Sequence, residues 1–280
     1  MNVLHGGRRR WYDSLVPMQR STPRVTRIPS NLLLLPALFL LLVACSSGPE
    51  REISAGETLL ERDFSEPNSF EEGIYTDASL RIDDGRYLIR VNSGDSEIWW
   101  GQWGDTLDNV VIDVDVEQIS EREEAAWGVA CRLRGQVGQQ MESEPLLELL
   151  AIGEAGQEGD GPDVALEPPA AAAIANGDGY LFLIQGSGNW GIFRARGRDV
   201  FPLSDWTASD LVQRGPGARN HLRAVCADDY LAFFINEEFV AEVKDNSFAN
   251  GQVGLAATAF NRLGVEVGFE NLVVSEAIGG

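Results

Sequence analysis

The residues best placed to do chemistry are three carboxylates in the run Val110-Val-Ile-Asp-Val-Asp-Val-Glu117. In an extended strand a period of two puts Asp113, Asp115 and Glu117 on one face and Val110, Ile112, Val114 and Val116 on the other. Paired carboxylates are the machinery of acid/base and nucleophilic cleavage of glycosidic bonds. A retaining mechanism needs about 5–5.5 Å between the two carboxyl groups. Residues two apart on a straight strand stand roughly 6.7 Å apart, and residues four apart roughly 13 Å. Long side chains can close that gap, but an aspartate at 113 reaches less far than a glutamate. The alternative is a solvated outer face of an amphipathic strand, in a chain where acidic surface is plentiful.

The second candidate is aromatic. In Trp99-Trp100-Gly101-Gln102-Trp103 adjacent indoles fall on opposite faces of a strand, so one of them is expected at a surface where sugar rings could stack. Trp190 and Trp206 could extend such a platform, whereas Trp127 is expected in the core, and core packing is the alternative for every one of these indoles. Calcium ligands are available in Asp83-Asp84-Gly85 and in Asp228-Asp229. Both are short clusters at strand junctions, where turn chemistry explains them first, so no metal and no cofactor are expected. Histidine chemistry would have to rest on His221, since His5 is the only other histidine. That excludes multi-histidine zinc sites and makes Ser-His-Asp and Cys-His hydrolases poor readings.

The elements that would position these groups are strands. From Leu59 onward, short runs rich in β-branched and aromatic residues are separated by Gly, Asp and Asn, with no helical period of any length. Runs are expected at 78–82, 86–91, 97–102, 109–119, 125–134, 179–185, 190–196, 199–203, 221–227, 230–235, 238–243, 252–259 and 265–274. This pattern predicts an all-β antiparallel sandwich in a single domain, residues 58–277. Cys131 and Cys226 both fall on apolar strand faces. Outside the cytoplasm they could pair as a disulfide, and two buried free thiols are the alternative. Residues 135–178 break the rhythm with nine acids, no Lys or Arg, and a Pro-Pro-Ala-Ala-Ala-Ala run. They are read as an acidic insertion in a hairpin loop.

The chain has 280 residues, 44% of them hydrophobic, with 22 Lys+Arg against 43 Asp+Glu and a net charge of −21. So acidic a chain, without a basic patch in its body, is not expected to bind nucleic acid. The charge is unevenly divided. Residues 1–44 hold six arginines and one acid, so the remainder carries −26. This basic start precedes the apolar run Leu32–Val43, too short to span a bilayer as a helix, and the ending Leu42-Val43-Ala44-Cys45-Ser46-Ser47. Residues 1–44 are therefore read as a signal peptide, with Met18 as the expected true start. The ending resembles the bacterial lipobox, which implies lipidation of Cys45, a flexible tether over 45–57, and a domain held outside the cytoplasm on a membrane.

The strand series Trp127-Gly-Val-Ala-Cys-Arg, Gly179-Tyr-Leu-Phe-Leu-Ile, Trp190-Gly-Ile-Phe-Arg, Asn220-His-Leu-Arg-Ala-Val-Cys, Gly251-Gln-Val-Gly-Leu-Ala-Ala and Val265-Glu-Val-Gly-Phe-Glu-Asn-Leu-Val-Val resembles the concanavalin A-like lectin/glucanase superfamily. Within that superfamily it is most similar to the laminin G-like and 3-keto-disaccharide-hydrolase-like domains. The resemblance spans roughly residues 59–274 and implies a jelly-roll sandwich. The run from Asp113 to Glu117 looks like a degraded form of the Glu-x-Asp-x-(x)-Glu strand of family 16 glycosidases, with Asp113 standing where a glutamate is expected. The implied function is therefore non-catalytic binding of carbohydrate or another surface polymer, with Trp99, Trp100 and Trp103 as ligand-binding residues. Two alternatives remain open: a glycoside-active hydrolase of the keto-disaccharide or glucan type using Asp113, Asp115 and Glu117, and a structural or protein-interaction module.

Overall fold

A computed structural model describes residues 48–92, 97–121, 123–135, 177–260 and 264–279. The leader, Cys45 and nearly all of the insertion 135–178 lie outside the described residues. The strands, in chain order, are β1 (Ile53–Arg62), β2 (Gly73–Ile74), β3 (Ala78–Asp83), β4 (Arg86–Val91), β5 (Ile98–Leu107), β6 (Val110–Gln118), β7 (Ala125–Arg134), β8 (Asp178–Gln185), β9 (Asn189–Arg196), β10 (Asp199–Ala208), β11 (Arg219–Ala227), β12 (Tyr230–Ile235), β13 (Glu238–Lys244), β14 (Gly251–Ala259) and β15 (Val265–Gly279). Among the described residues there is no helix.

The strands form two antiparallel sheets. One has nine strands in the order β13-β12-β11-β6-β15-β4-β3-β2, with β1 paired to β15 beyond the end of β4; the other has six, in the order β10-β9-β8-β7-β14-β5. The inner faces meet in one apolar core that takes Val110, Ile112, Val114 and Val116 from β6, Leu222 and Ala224 from β11, and Trp127 and Val129 from β7. Each of these sets obeys the two-residue period, so burial of alternate β-branched and aromatic side chains fixes which face of each strand turns inward.

Cys131 on β7 and Cys226 on β11 form a disulfide, with Cα atoms 6.8 Å apart. Their strands are not neighbours in one sheet. They belong to opposite sheets, so the bond crosses the core and ties the two layers together.

Turn chemistry explains the hairpins. Asp84 and Gly85 both have positive φ, 51° and 72°, the type I′ geometry that suits the twist of β3 and β4. Asn236 and Glu237 do the same between β12 and β13, at 52° and 70°. Glu237 thus occupies a left-handed position usually given to glycine, and the Asn236 side chain supports the turn by donating to the Leu211 carbonyl at 2.7 Å.

The start of the sandwich differs from the sequence reading. The tether was expected to run to residue 57, yet the strand starts at Ile53 and pairs along β15 from Ile53 opposite Gly279 to Arg62 opposite Leu272. Its side chains are mostly exposed, so it carries no apolar alternation to read, and its stability comes from the ladder of backbone hydrogen bonds. The same pairing carries β15 on to Gly279, past the Val274 expected from apolar content.

Candidate binding face

The three carboxylates of β6 lie on the outer face of the nine-stranded sheet, and the neighbouring strand β11 supplies a cation opposite each one. The register sets Arg223 against Asp113, His221 against Asp115, and Arg219 against Glu117. Arg223 Nε donates to Asp113 Oδ1 at 2.7 Å, and Arg219 Nη2 donates to Glu117 Oε2 at 2.8 Å. Arg219 also reaches Glu270 on β15, with Nη1 3.1 Å from Oε2, and Arg86 approaches Glu117 at 3.8 Å. The imidazole of His221 stands between the two aspartates, with Nδ1 2.8 Å from Asp115 Oδ1 and Nε2 3.2 Å from Asp113 Oδ1. Asn271 Nδ2 donates to the other Asp115 oxygen at 2.8 Å.

This arrangement sets the charge states. Hydrogen bonding to Asp113, followed by that to Asp115, raises the His221 pKa to about 9 against the opposing effect of burial. The ring is therefore an imidazolium at neutral pH with both N–H groups committed to carboxylates, a state in which it cannot act as a base. Burial pushes Asp113 upward, but the hydrogen bonds and charges of His221 and Arg223 outweigh it and hold the carboxyl below its ordinary value. A general acid for glycoside cleavage needs the opposite shift. The imidazole thus stands between Asp113 and Asp115.

The tryptophans are placed differently. Trp99 and Trp100 on β5 are 5% and 0% exposed. Trp99 packs on Tyr75 with ring centroids 5.2 Å apart, and the partly buried Trp103 stacks on Phe70 at 6.3 Å. Trp100 Nε1 donates to Gln102 Oε1 at 3.3 Å. The three indoles therefore form no exposed platform. They are held by packing, as is Trp190, which is 8% exposed, while Trp206 packs at a tilt on Phe193 with ring centroids 4.7 Å apart.

Beside the charged ladder, on the same outer face, lies a cavity of 390 Å³ lined by Arg51, Ile53, Arg223, Tyr230, Phe234 and Ile278, among others. Its apolar floor is continuous with a second, smaller cluster of buried residues that includes Val225, Tyr230 and Ala232. The segment leading into β1 forms one wall. Arg51 lies over the Tyr230 ring at 5.3 Å and pairs with Asp228 at 3.6 Å. Glu50 accepts an ion pair from Lys244 at 2.9 Å and donates its backbone N–H to Glu242 at 2.7 Å. Glu242 also accepts from the Tyr230 hydroxyl at 2.6 Å.

No family model matches the chain, and no curated protein matches it in sequence. Among solved structures, it is similar to a Bacillus subtilis protein of unknown function with a galectin-like fold. The TM-score is 0.52 and the identity 11%, over 81% of this chain and 99% of that one. That likeness shows the fold. A β-glucanase from Bacillus licheniformis (TM-score 0.48, 5% identity, 80% of this chain and 100% of that one) and a carbohydrate-binding module from Bacillus subtilis (TM-score 0.42, 11% identity, 75% and 94%) are more distant and carry no argument about this chain's ligand.

Sequence reasoning identified the acidic strand but missed its partner and the cavity. A signal for the partner was present: Arg219, His221 and Arg223 alternate with Asn220 and Leu222 at the period of the acids. Only the register shows that the two alternations face each other. For the cavity no signal was available, because it joins residues near position 50 to residues near 230. The Asp pairs considered for calcium have turn roles here. Asp84 takes the left-handed position of its hairpin, and Asp228 accepts from Asn109 Nδ2 at 3.2 Å and pairs with Arg51. Among the described residues no cluster of three or more His, Cys, Asp or Glu is placed to hold a metal ion.

Proposed function

We propose that the protein is an extracytoplasmic, lipid-anchored β-sandwich that binds carbohydrate or a related surface polymer without transforming it, at the cavity on the outer face of the nine-stranded sheet. The observation that carries this reading is the state of the three carboxylates. Each is held by a cation of β11, and an imidazolium stands between Asp113 and Asp115, while the adjoining cavity combines an apolar floor with guanidinium donors. Apolar surface for the faces of sugar rings, with a few placed polar groups for their hydroxyls, is the usual composition of such a site. The disulfide supports folding in an oxidising compartment, consistent with export. The lipobox ending at Cys45 supports anchoring to a bacterial membrane.

A glycan array followed by turnover assays on the bound sugars, β-glucans and keto-disaccharides tests the function. The expected outcome is retention of at least one glycan class with no product formed. Turnover that disappears in Glu117→Gln would instead establish the hydrolase reading. For anchoring, wild-type protein is expected to partition with membranes and Cys45→Ser to become soluble; a Cys45→Ser variant that stays with the membrane removes the lipid anchor.

A further inference from the structure

The side chains around the cavity are unusual for a site meant to hold a neutral sugar. Hydroxyl groups are both donors and acceptors, so a neutral ring is best met by a mixture of the two. Here the polar lining is dominated by two guanidinium groups, which can only donate. Arg223 commits Nε to Asp113, which leaves its two terminal nitrogens for the cavity. Arg51 is engaged by one ion pair of 3.6 Å and by the Tyr230 ring, which leaves further N–H groups unspent. The lining also holds the Tyr230 hydroxyl, which donates to Glu242, Ser54, which donates to the Ile278 carbonyl at 3.3 Å, and the exposed acid Glu52. The two arginines come from different segments, one before β1 and one on β11, and Val225, Ala232 and Phe234 also line the cavity.

We infer that the cavity takes a carboxylate-bearing sugar, such as a uronate unit of an acidic glycan, with Arg51 and Arg223 holding the carboxylate and the ring resting on the apolar floor. The inference rests on the binding function proposed above and narrows its ligand class. Guanidinium is the side chain best matched to a planar carboxylate, because it offers paired, parallel N–H bonds that are charge-assisted. The volume, 390 Å³, lies within the roughly 300–1,000 Å³ of small-ligand sites. Arg51, Arg86, Arg219, His221 and Arg223 all stand near the β6 carboxylates or the cavity, each paired with an acid.

The test uses the purified protein with short oligomers of galacturonate, glucuronate and mannuronate, each measured by titration calorimetry against its own methyl ester. The ester keeps the ring and removes the charge. At least one free acid is expected to bind tenfold or more tightly than its ester at low salt. Arg51→Gln and Arg223→Gln are each expected to bring acid and ester to parity, with thermal melts checking that the variants fold. Arg51→Gln is the cleaner variant, since it leaves Asp113 and its other partners untouched. Equal affinity for acid and ester, or binding only of neutral glycans on the array, overturns the acidic-sugar inference and leaves the carbohydrate function standing. Absence of binding to every glycan, acidic or neutral, overturns both. A preference for acid that survives in both variants places the anion elsewhere and overturns the assignment to this cavity.

Discussion

Strands β5 and β6 follow one another in the chain, and both carry side chains whose spacing suggested a functional face, but the fold treats them in opposite ways. On β6 the polar alternate residues turn outward, where β11 meets each acid with a base. On β5 the indoles of Trp99 and Trp100 are drawn into packing on both sides of the strand, and neither is left for a ligand. A period of two tells which residues share a face. It does not tell whether that face is already occupied, because the answer depends on a strand about one hundred residues away. Outward orientation is thus necessary for a binding residue but not sufficient, and the residues that line the cavity are those left incompletely partnered.

The widest separation between the two regions should appear in stability. Trp100→Ala removes a fully buried indole, and large-to-small aromatic changes in cores cost about 3–5 kcal/mol. For a domain of this size that corresponds to a fall in Tm of roughly 10 °C. A Trp100→Ala protein that melts like wild type but loses glycan binding would restore the aromatic platform. Breaking the bond between the sheets comes next. The disulfide closes a sequence separation of 95 residues, and replacing both cysteines with alanine is expected to cost about 2–5 kcal/mol, read as a lower urea midpoint.

The ladder should respond more gently. Asp113→Ala leaves Arg223 and His221 each short of a half-buried partner, an effect of about 1–3 kcal/mol. Arg219→Ala, at an arginine that is 60% exposed, should cost no more than about 1 kcal/mol. If Arg219→Ala proves as costly as Asp113→Ala, the ladder behaves as one network and not as separate pairs, which a double-mutant cycle would resolve.

The sandwich was legible because its strands bury one face at a time. Val110, Ile112, Val114 and Val116 were read correctly from alternation, and so were the apolar faces of Cys131 and Cys226. β1 was not legible, since a strand with little to bury on either face differs from a tether only in its backbone pairing with β15. β5 was read as ending at Gln102, but it continues to Leu107: Gly104, with φ of 84°, and Asp105 lie in a bulge between the pairings of Trp103 with Val253 and of Leu107 with Gly251 on β14. The candidate site was half legible for the same reason. Its acids stand in one short run, whereas its cavity is assembled from three segments that only the fold brings together.

The finest test of the contrast is the titration of His221. Its folded pKa of about 9 lies above the ordinary 6.5, so the ring binds a proton more tightly in the native protein. Its contribution to stability is therefore fully present below about pH 6.5 and is lost as pH rises through about 9. Because the ring is partly exposed, solvent screening keeps the effect small. The gap in urea midpoint between wild type and His221→Gln is expected to be constant from pH 5 to 6 and to narrow steadily between pH 7 and 10. The lowered pKa of Asp113 acts in the opposite direction: its contribution is present above the ordinary aspartate value and is lost as pH falls through the depressed one. NMR of the imidazole should place its midpoint near pH 9. A midpoint near 6.5 would mean that the ring does not bridge Asp113 and Asp115, and the space between those carboxylates would again be open to a substrate.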